Sequence, residues 1–270
     1  MPSILDHVVI ATSDCAPAQY AYAAICGGNP AVHFADDGTA SFTRFYLTEG
    51  VVELAEPIGT PAEGDGRALL QRLARAGQGV HLVCLPSPNL SATVGALEAD
   101  GAALIGRGGH VYLHPKSANG VLLQLTPRRE FGPRPLAGDA RLDHVAIAVK
   151  DLDAAAARWE IITGAPSEPM GIHPASHGSF RATRLMLGDQ MVELISPVPG
   201  VPSELAARLN NRGEGVAALA LPASDVDKAV LRLRALGVRV LNQQPHWVVH
   251  PRDASGVLVQ ITPRIAHDNR

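Results

Sequence analysis

The hydrophobic positions of the chain fall into short apolar runs that are separated by longer amphipathic stretches. The first run, ILDHVVIA at 4–11, is rich in β-branched residues and predicts a strand buried on both faces. Ser13 or Asp14 can cap a helix after this strand, and Gly27 followed by a second glycine suits the end of that helix. The pattern therefore begins with a strand and a capped helix.

The apolar pattern continues as a series of strands. Two strand-like runs lie at 42–47 and 51–56, and the segment 48–50 between them suits a tight hairpin turn. A helical stretch near 67–76 follows, and the run GVHLVCLP at 79–86 then restarts the order of strand, capped helix and strands. Each half of the chain is therefore predicted to contain two β-α-β-β-β modules.

One stretch of the chain occurs twice. Residues 114–128 (HPKSANGVLLQLTPR) and 250–264 (HPRDASGVLVQITPR) are identical at ten of fifteen positions and lie 136 residues apart. This period is too long for a solenoid repeat, so each copy should be a whole domain. We expect a first domain at 1–130, a Pro/Gly-rich linker at 131–141 and a second domain at 142–270.

Composition and charge narrow the classes of function. The net charge of −3 provides no basic field for nucleic acid or for an anionic membrane surface. The sequence has no run of about 20 apolar residues that could span a bilayer, and its N-terminus lacks the features of a signal peptide. Its three cysteines, Cys15, Cys26 and Cys84, are unclustered, which favours buried free thiols over a disulfide framework. We therefore expect a cytoplasmic protein.

Four strands of the first copy each carry one polar residue within an apolar run: His7, Glu53, His81 and Gln124. Strand alternation places each of them on the face opposite its apolar neighbours. Singly, such a histidine is usually a satisfied core residue, such a glutamate is usually solvated and such a glutamine is usually hydrogen-bonded. Together, two imidazoles, a carboxylate and an amide oxygen suit a divalent metal that keeps a position open for water or substrate.

The motifs LDHVVIAT, VVELAEP, GQGVHLVCLP and HPKSANGVLLQLTPR, in this order, resemble the vicinal-oxygen-chelate superfamily. This superfamily includes glyoxalase I, methylmalonyl-CoA epimerase, fosfomycin and bleomycin resistance proteins and extradiol dioxygenases; the epimerase is the most similar. The resemblance implies an α+β fold in which four β-α-β-β-β modules form two cupped, open mixed-sheet barrels. It also implies that His7, Glu53, His81 and Gln124 are the ligands of a divalent metal ion.

The first copy departs from the family pattern at its last strand. In the epimerase and in glyoxalase this position is usually a glutamate that also transfers protons, whereas Gln124 has no carboxylate. Glu53 is then the candidate catalytic base, and Asp36 or Asp37 could assist it from the loop where the epimerase keeps a second acid. The dioxygenases use two histidines and a last-strand glutamate on ferrous iron, so Gln124 also argues against ring cleavage unless Glu53 substitutes for that ligand.

The second copy keeps three of the four residues, namely His144, Glu193 and Gln260. Ala217 stands where the first copy has His81, so the second site lacks one imidazole and is expected to be metal-poor or empty. Three loop histidines could replace it, although surface positions are the commoner interpretation: His173, His177 and His246.

Basic residues near the predicted site could bind an anionic substrate. His114 and Lys116 precede the last strand of the first copy, and a similar His-Pro-Arg stretch precedes that of the second. A cation at the mouth of a pocket is the functional interpretation, and a turn with a solvated basic residue is the alternative. Arg44 and its counterpart Arg184 lie within strands and are candidates for carboxylate binding.

These observations lead to one main hypothesis and two alternatives. The first is a glyoxalase- or epimerase-like lyase or isomerase in which a divalent ion (Ni, Co, Zn, Mn or Fe) stabilises the enediolate of a small oxygenated, carboxylate or thioester substrate. The second is a resistance-type protein that binds a small molecule without turnover, and the third is an Fe(II) dioxygenase. In each case we expect a monomer or a homodimer that binds a small molecule.

Overall fold

The computed structural model describes residues 4–28, 30–35, 37–107, 110–131, 140–175, 178–243 and 246–263. The elements of the first repeat are β1 (His7–Ala11), α1 (Cys15–Cys26), β2 (Ala31–Phe34), β3 (Ala40–Tyr46), β4 (Val51–Pro57), α2 (Gly64–Ala76), β5 (Gly79–Pro86), α3 (Leu90–Ala99), β6 (Leu104–Arg107), β7 (His110–Leu113) and β8 (Leu123–Thr126). A short 3-10 turn, Pro115–Ser117, precedes β8.

The second repeat has the same order of elements. They are β9 (His144–Ala148), α4 (Leu152–Thr163), β10 (Ser167–His173), β11 (Phe180–Leu187), β12 (Gln190–Pro197), α5 (Glu204–Arg212), β13 (Gly215–Ala220), α6 (Val226–Ala235), β14 (Val240–Gln243), β15 (His246–Val249) and β16 (Leu258–Ile261). The predicted β-α-β-β-β modules are therefore confirmed in both repeats.

Each repeat forms one eight-stranded mixed sheet. The strand order is β2-β3-β4-β1-β5-β8-β7-β6 in the first sheet and β10-β11-β12-β9-β13-β16-β15-β14 in the second. Within a module, the first strand pairs in parallel with the last strand, as β1 does with β4 and β9 does with β12. The remaining strands of the module pair in antiparallel fashion. This topology confirms the predicted α+β fold.

Local capping explains where the helices begin and end. The Asp14 side chain accepts a hydrogen bond from the backbone N–H of Ala16 at the start of α1, and Gly27 ends this helix in the left-handed region with φ 75°. By residue type, Ser224 is the expected cap of α6. Asp225 rather than Ser224 accepts the hydrogen bond from the backbone of Lys228, and a carboxylate there also complements the helix dipole.

Contacts divide the chain into two compact units, and each of them contains a module from both repeats. One unit, here called the inner unit because most of it comes from the middle of the sequence, contains Met1–Asp6, Leu82–Glu130 and Asp143–Ala218. The other, here called the outer unit because most of it comes from the two ends of the sequence, contains His7–His81, Phe131–Leu142 and Leu219–Arg270. The modules thus pack across the repeats, although each sheet follows one repeat.

Hydrogen bonds join the two modules within the inner unit. Asn119 is central to them: its Oδ1 accepts from Trp159 Nε1 at 3.1 Å, and its Nδ2 donates to Glu214 Oε2 at 3.2 Å. The next residue, Gly120, lies so close to Glu214 that a Cβ built on it would be 2.1 Å from the carbonyl oxygen of Glu214. This close approach requires glycine at position 120.

The outer unit has an equivalent junction. Gly256 packs against Gln78, and a Cβ at Gly256 would lie 2.5 Å from the carbonyl oxygen of Gln78. The Tyr22 hydroxyl donates to the carbonyl oxygen of Ala254 at 3.2 Å. No helix in the described part of the chain is long and apolar enough to cross a bilayer.

Candidate active site

Two of the predicted site residues share one face of neighbouring strands in the outer unit. In the parallel pairing of β1 and β4, Val9 is the register partner of Glu53, and Val9 lies two residues after His7. Side chains two residues apart point to the same face, so His7 and Glu53 lie on a common face. Both are buried, with exposed fractions of 3% and 4%. A buried carboxylate of this kind needs a compensating partner.

Arg44 is that partner. Arg44 and Glu53 are register partners across the antiparallel strands β3 and β4, and Arg44 Nε donates a hydrogen bond to Glu53 Oε2. The two side chains therefore form a largely buried ion pair on the same face as His7. A metal ion or a substrate proton has to compete with this guanidinium for the Glu53 carboxylate.

Phe131 covers this group of side chains. The centre of its ring lies 4.8 Å from the centre of the His7 ring in an edge-to-face arrangement, and 4.7 Å from the Cζ atom of Arg44. Its ring centre lies 6.2 Å from that of Tyr46. Sequence reasoning missed Phe131 because it follows the last strand, within the predicted linker. A single aromatic residue in a Pro/Gly-rich segment was the available signal.

His81, the second predicted imidazole ligand, is at the start of β5 in the outer unit and is half-buried. Burial, together with the positive charges of Arg72 and Arg75, lowers the pKa of His81 to about 4. The side chain is therefore neutral at neutral pH. A neutral imidazole is the form that binds a metal ion, and no proton has to be displaced before it does so.

Gln124 belongs to the inner unit, where an acidic residue determines how its amide is oriented. Its Nε2 donates to Glu130 Oε1 at 2.8 Å and lies 3.3 Å from His110 Nδ1. Because these contacts engage the amide nitrogen, the amide oxygen is directed away from Glu130. The backbone N–H of Glu130 donates to Asp6 Oδ2 at 3.3 Å. Glu130, like Phe131, was not identified from the sequence.

The second repeat brings its histidine and glutamate together in the inner unit. His144 Nε2 lies 3.9 Å from Glu193 Oε2, and His144 Nδ1 lies 2.9 Å from Asp143 Oδ2. A carboxylate on one ring nitrogen fixes the orientation of the imidazole and leaves the other nitrogen for a cation. Ala217 is in β13 of the same unit and contributes no ligand. Gln260 is in β16 of the outer unit and is half-buried.

The arginine of the second repeat has a different partner. Arg184 is the register partner of Glu193 on β12 and of Glu168 on β10. Its Nε donates to Glu168 Oε2 at 2.9 Å, and its Nη2 lies 2.9 Å from the same oxygen. Arg184 is thus bound at the edge strand, whereas Arg44 is bound to the site glutamate.

The basic residues before the last strand serve the local turn. His114 Nδ1 accepts a hydrogen bond from the backbone N–H of Lys116 at 3.1 Å and so caps the 3-10 turn. His250 and Arg252 make the same contact at 3.1 Å in the second repeat. The Lys116 side chain is exposed. These contacts support the interpretation of this stretch as a turn with a solvated basic residue.

The other candidates are distributed as follows. Asp37 is exposed and accepts hydrogen bonds from Thr39, which lower the pKa of its carboxyl group. The ring of His173 stacks on Phe180 with centres 5.6 Å apart. His246 is half-buried in β15. Asp36 and His177 lie outside the described residues.

The donor set in the first repeat fits a divalent cation of the borderline type. His81 is neutral, His7 is buried on the same face as an anionic carboxylate, and nitrogen and oxygen donors of this kind suit Zn, Ni, Co, Mn or Fe(II). In the second repeat, the inner unit contains the imidazole of His144 and the carboxylate of Glu193. Ala217 takes the position of the second imidazole.

Comparison with known proteins shows the family of the chain. The model of the glyoxalase/bleomycin resistance protein/dioxygenase superfamily matches residues 6–117 and again 143–254. The chain belongs to this superfamily. The resemblance found in the sequence motifs is therefore confirmed in both repeats.

Curated relatives within the superfamily include two epimerases. Human mitochondrial methylmalonyl-CoA epimerase is 33% identical over 131 residues, which is 45% of this chain and 72% of the relative. The ethylmalonyl-CoA/methylmalonyl-CoA epimerase of Cereibacter sphaeroides is 34% identical over 131 residues, or 45% of this chain and 96% of the relative. Each relative therefore corresponds to about one repeat of this superfamily member.

A solved structure matches the whole chain. A mutant of 4-hydroxymandelate synthase from Streptomyces coelicolor superposes with a TM-score of 0.79 and covers 100% of this chain and 95% of that chain. Its sequence identity is 15%, so the likeness concerns the fold. The arrangement of two superfamily repeats in one chain is thus shared with a known two-repeat structure.

Proposed function

We propose that the chain is a metal-dependent isomerase or lyase that transfers a proton at a carbon next to a substrate carbonyl. The observation that carries this proposal is the buried Glu53 carboxylate, held by Arg44 on the same strand face as His7. The sequence similarity to methylmalonyl-CoA epimerases, which extends over about one repeat, supports the same class of reaction. The proposed substrate is a small carboxylic acid or thioester.

The proposed metal ligands are His7, Glu53 and His81, which all belong to the outer unit. A divalent ion at these residues would supply a positive charge for two neighbouring substrate oxygens. Two features favour binding of the ion. Burial keeps the His81 imidazole neutral, and the hydrogen bond from Arg44 orients the Glu53 carboxylate.

Glu53 is the proposed proton acceptor. It is the carboxylate of the proposed set, and its burial limits the access of water that would compete for the proton. Arg44 positions this carboxylate through the Nε hydrogen bond, and the Phe131 ring packs against the Arg44 guanidinium. Arg44 and Phe131 are therefore positioning residues, while Glu53 is the residue that handles the proton.

The test measures proton exchange with solvent. The metal-loaded protein is incubated in D₂O with methylmalonyl-CoA, and deuterium at the carbon between the two carbonyl groups is followed by mass spectrometry. Glu53→Gln should lower the exchange rate by about 100-fold or more, since it removes a positioned general base. Glu193→Gln, the matched change in the second repeat, should leave the rate unchanged.

Circular dichroism and thermal melting of both variants separate loss of the base from loss of the fold. Equal exchange rates for the wild type and a folded Glu53→Gln variant would show that Glu53 is not the base. Absence of exchange in the metal-loaded wild type, with each member of a panel of acids and thioesters, would refute the isomerase proposal.

A second candidate is a protein that binds a small molecule without turnover. The Arg44–Glu53 ion pair favours it, because a carboxylate with a fixed cationic partner is less available to a proton. The amide at Gln124, in place of the usual family carboxylate, favours it as well. Tight binding of a ligand that is recovered unchanged, without deuterium, would support this candidate.

A further inference from the structure

The two repeats carry an arginine at the same position but give it different partners. Arg44 faces Glu53 across β3 and β4, and Arg184 faces Glu193 across β11 and β12. Only the first of these register pairs forms a hydrogen-bonded ion pair among the described contacts. The cause of this difference lies in the next strand of the sheet.

The residue on the edge strand decides where the guanidinium is bound. The partner of Arg184 on β10 is Glu168, which binds Arg184 Nε and Nη2 at 2.9 Å. The register partner of Arg44 on β2 is Ala31, whose methyl side chain cannot bind a guanidinium. Arg44 therefore extends toward Glu53 instead of the sheet edge.

Two aromatic rings also lie close to the Arg44 guanidinium. The Phe131 ring centre lies 4.7 Å from Arg44 Cζ, and the Phe42 ring centre lies 5.9 Å from it. Nε is used by Glu53, so the edge formed by the two terminal nitrogens remains for another acceptor. The Arg44 side chain is 21% exposed, so a small molecule can reach part of it.

We propose that Arg44 and Phe131 form a carboxylate clamp in the first repeat, in which the terminal nitrogens of Arg44 bind a substrate carboxylate as a bidentate pair. Phe131 keeps the guanidinium plane fixed, and a fixed planar fork matches the geometry of a carboxylate. The charge of Arg44 is partly balanced by Glu53, so the clamp suits the single charge of one carboxylate group better than the double charge of one phosphate group.

This inference rests on the proposed function in one respect, namely that the substrate is bound in the first repeat. It narrows the substrate to molecules that carry a free carboxylate near the reacting carbon. Arg184 of the second repeat does not form such a clamp, because its Nε and Nη2 already bind the Glu168 carboxylate. The two repeats therefore differ in anion binding as well as in the histidine at position 81.

The test measures binding without turnover. Isothermal titration calorimetry is performed on the full chain after chelator treatment, with malonate as the probe, malonamide as the uncharged analogue and inorganic phosphate as the second anion. Malonate should bind through one of its carboxylates, and malonamide and phosphate should bind at least about tenfold more weakly. Malonamide loses the charge-assisted bidentate contact, and phosphate brings two charges on one group beside Glu53. Phosphate binding equal to that of malonate would overturn the carboxylate assignment.

Substitutions then locate the malonate site. Arg44→Gln should weaken malonate binding by about tenfold or more, and Arg184→Gln should leave it unchanged. Ala31→Glu should have the same effect as Arg44→Gln, because it gives Arg44 the edge-strand partner that Arg184 has. Ala31→Gln is the matched control of similar size and should retain binding. Phe131→Leu should weaken binding less than Arg44→Gln does.

Two results would overturn the clamp: unchanged malonate affinity in a folded Arg44→Gln variant, or equal losses in the Ala31→Glu and Ala31→Gln variants. These outcomes are separate from those of the deuterium exchange assay. Malonate binding that depends on Arg44, together with no exchange in any substrate, keeps the clamp and refutes the proposed reaction. Deuterium exchange together with malonate binding that does not depend on Arg44 refutes the clamp and keeps the proposed reaction.

Discussion

His144 Nε2 lies 3.9 Å from Glu193 Oε2, a separation that allows both atoms to bind one cation at about 2.1 Å each. Asp143 holds the other nitrogen of His144 at 2.9 Å. In the first repeat, the corresponding glutamate is instead bound by Arg44. The repeat with fewer imidazoles thus has the more accessible carboxylate, so metal content must be tested for each repeat separately.

The first prediction concerns the number of metal ions per chain. We expect about one divalent ion per chain, bound in the first repeat, because four ligands at most are available there and one imidazole is missing in the second. His81→Ala should abolish binding, since it reproduces the alanine at position 217, and His144→Ala should leave the ion bound. Elemental analysis by mass spectrometry after reconstitution measures both effects.

Two ions per chain in the wild type would show that His144 and Glu193 suffice for binding without a second imidazole. One ion that is lost in His144→Ala but kept in His81→Ala would place the site in the second repeat. Absence of any ion after reconstitution with each candidate metal would contradict a metal-dependent mechanism.

The second prediction is a gain of metal binding. Ala217→His supplies the imidazole that the second repeat lacks, in the unit that already contains His144 and Glu193. This variant should bind about one more ion per chain than the wild type, because an imidazole is a strong ligand for borderline metals. Ala217→Phe, which adds a ring without a donor atom, is the control. Equal metal content in the two variants would refute the prediction that position 217 is a metal-ligand position.

Much of the fold could be predicted from the sequence because it depends on local signals. The β-branched run at β1, the cap at Asp14 and the glycine at position 27 each determine an element boundary through short-range interactions. The duplicated stretch then extended these predictions to the second repeat. The pairing of modules across repeats could not be predicted, since both repeats have the same pattern of apolar faces and either pairing would bury them.

The site was less predictable because its contacts connect distant residues. Strand alternation predicted that His7 and Glu53 lie on the face opposite their apolar neighbours, but it gave no sign that Arg44 binds Glu53. That contact depends on the alanine at position 31, which is a difference on a neighbouring strand. Phe131 lies in a segment without periodicity, so no pattern of hydrophobic residues could place it against Arg44.

The third prediction concerns a pH-dependent ion pair. Asp253 accepts hydrogen bonds from Arg239 Nε and from the Arg239 backbone N–H, both at 2.8 Å, and these bonds lower the pKa of the Asp253 carboxyl group. A carboxyl group whose pKa is lower in the folded state adds stability above its unfolded-state pKa and loses it as the pH falls through the folded-state pKa. Asp253→Asn should therefore lower Tm at neutral pH, and the difference should vanish in acid.

The first repeat provides the matched control for this pair. Ser117 occupies the position of Asp253, and its hydroxyl accepts from the backbone N–H of Ala103 at 2.9 Å. Ser117→Asn should therefore change Tm by an amount that does not vary with pH. A Tm difference for Asp253→Asn that stays constant between neutral and strongly acidic pH would contradict the role of the carboxylate.

The fourth prediction tests the junction inside the inner unit. Gly120 has φ 79°, and a Cβ at this position would lie 2.1 Å from the carbonyl oxygen of Glu214, which is backbone and cannot rotate away. Gly120→Ala should therefore lower the free energy of unfolding by about 3 kcal/mol or more, since it adds a steric clash to left-handed strain. Chemical denaturation measures the loss.

Gly101→Ala separates the two contributions to that loss. Gly101 has φ 72° but no atom within 4 Å of its Cβ position, so this substitution introduces only the backbone strain, about 1 kcal/mol. The excess loss in Gly120→Ala then reports how closely the turn before β8 packs against the segment that contains Glu214. Equal losses at the two glycines would mean that this part of the inner unit is packed less tightly in solution. The pairing of modules across repeats would then need another source of stability.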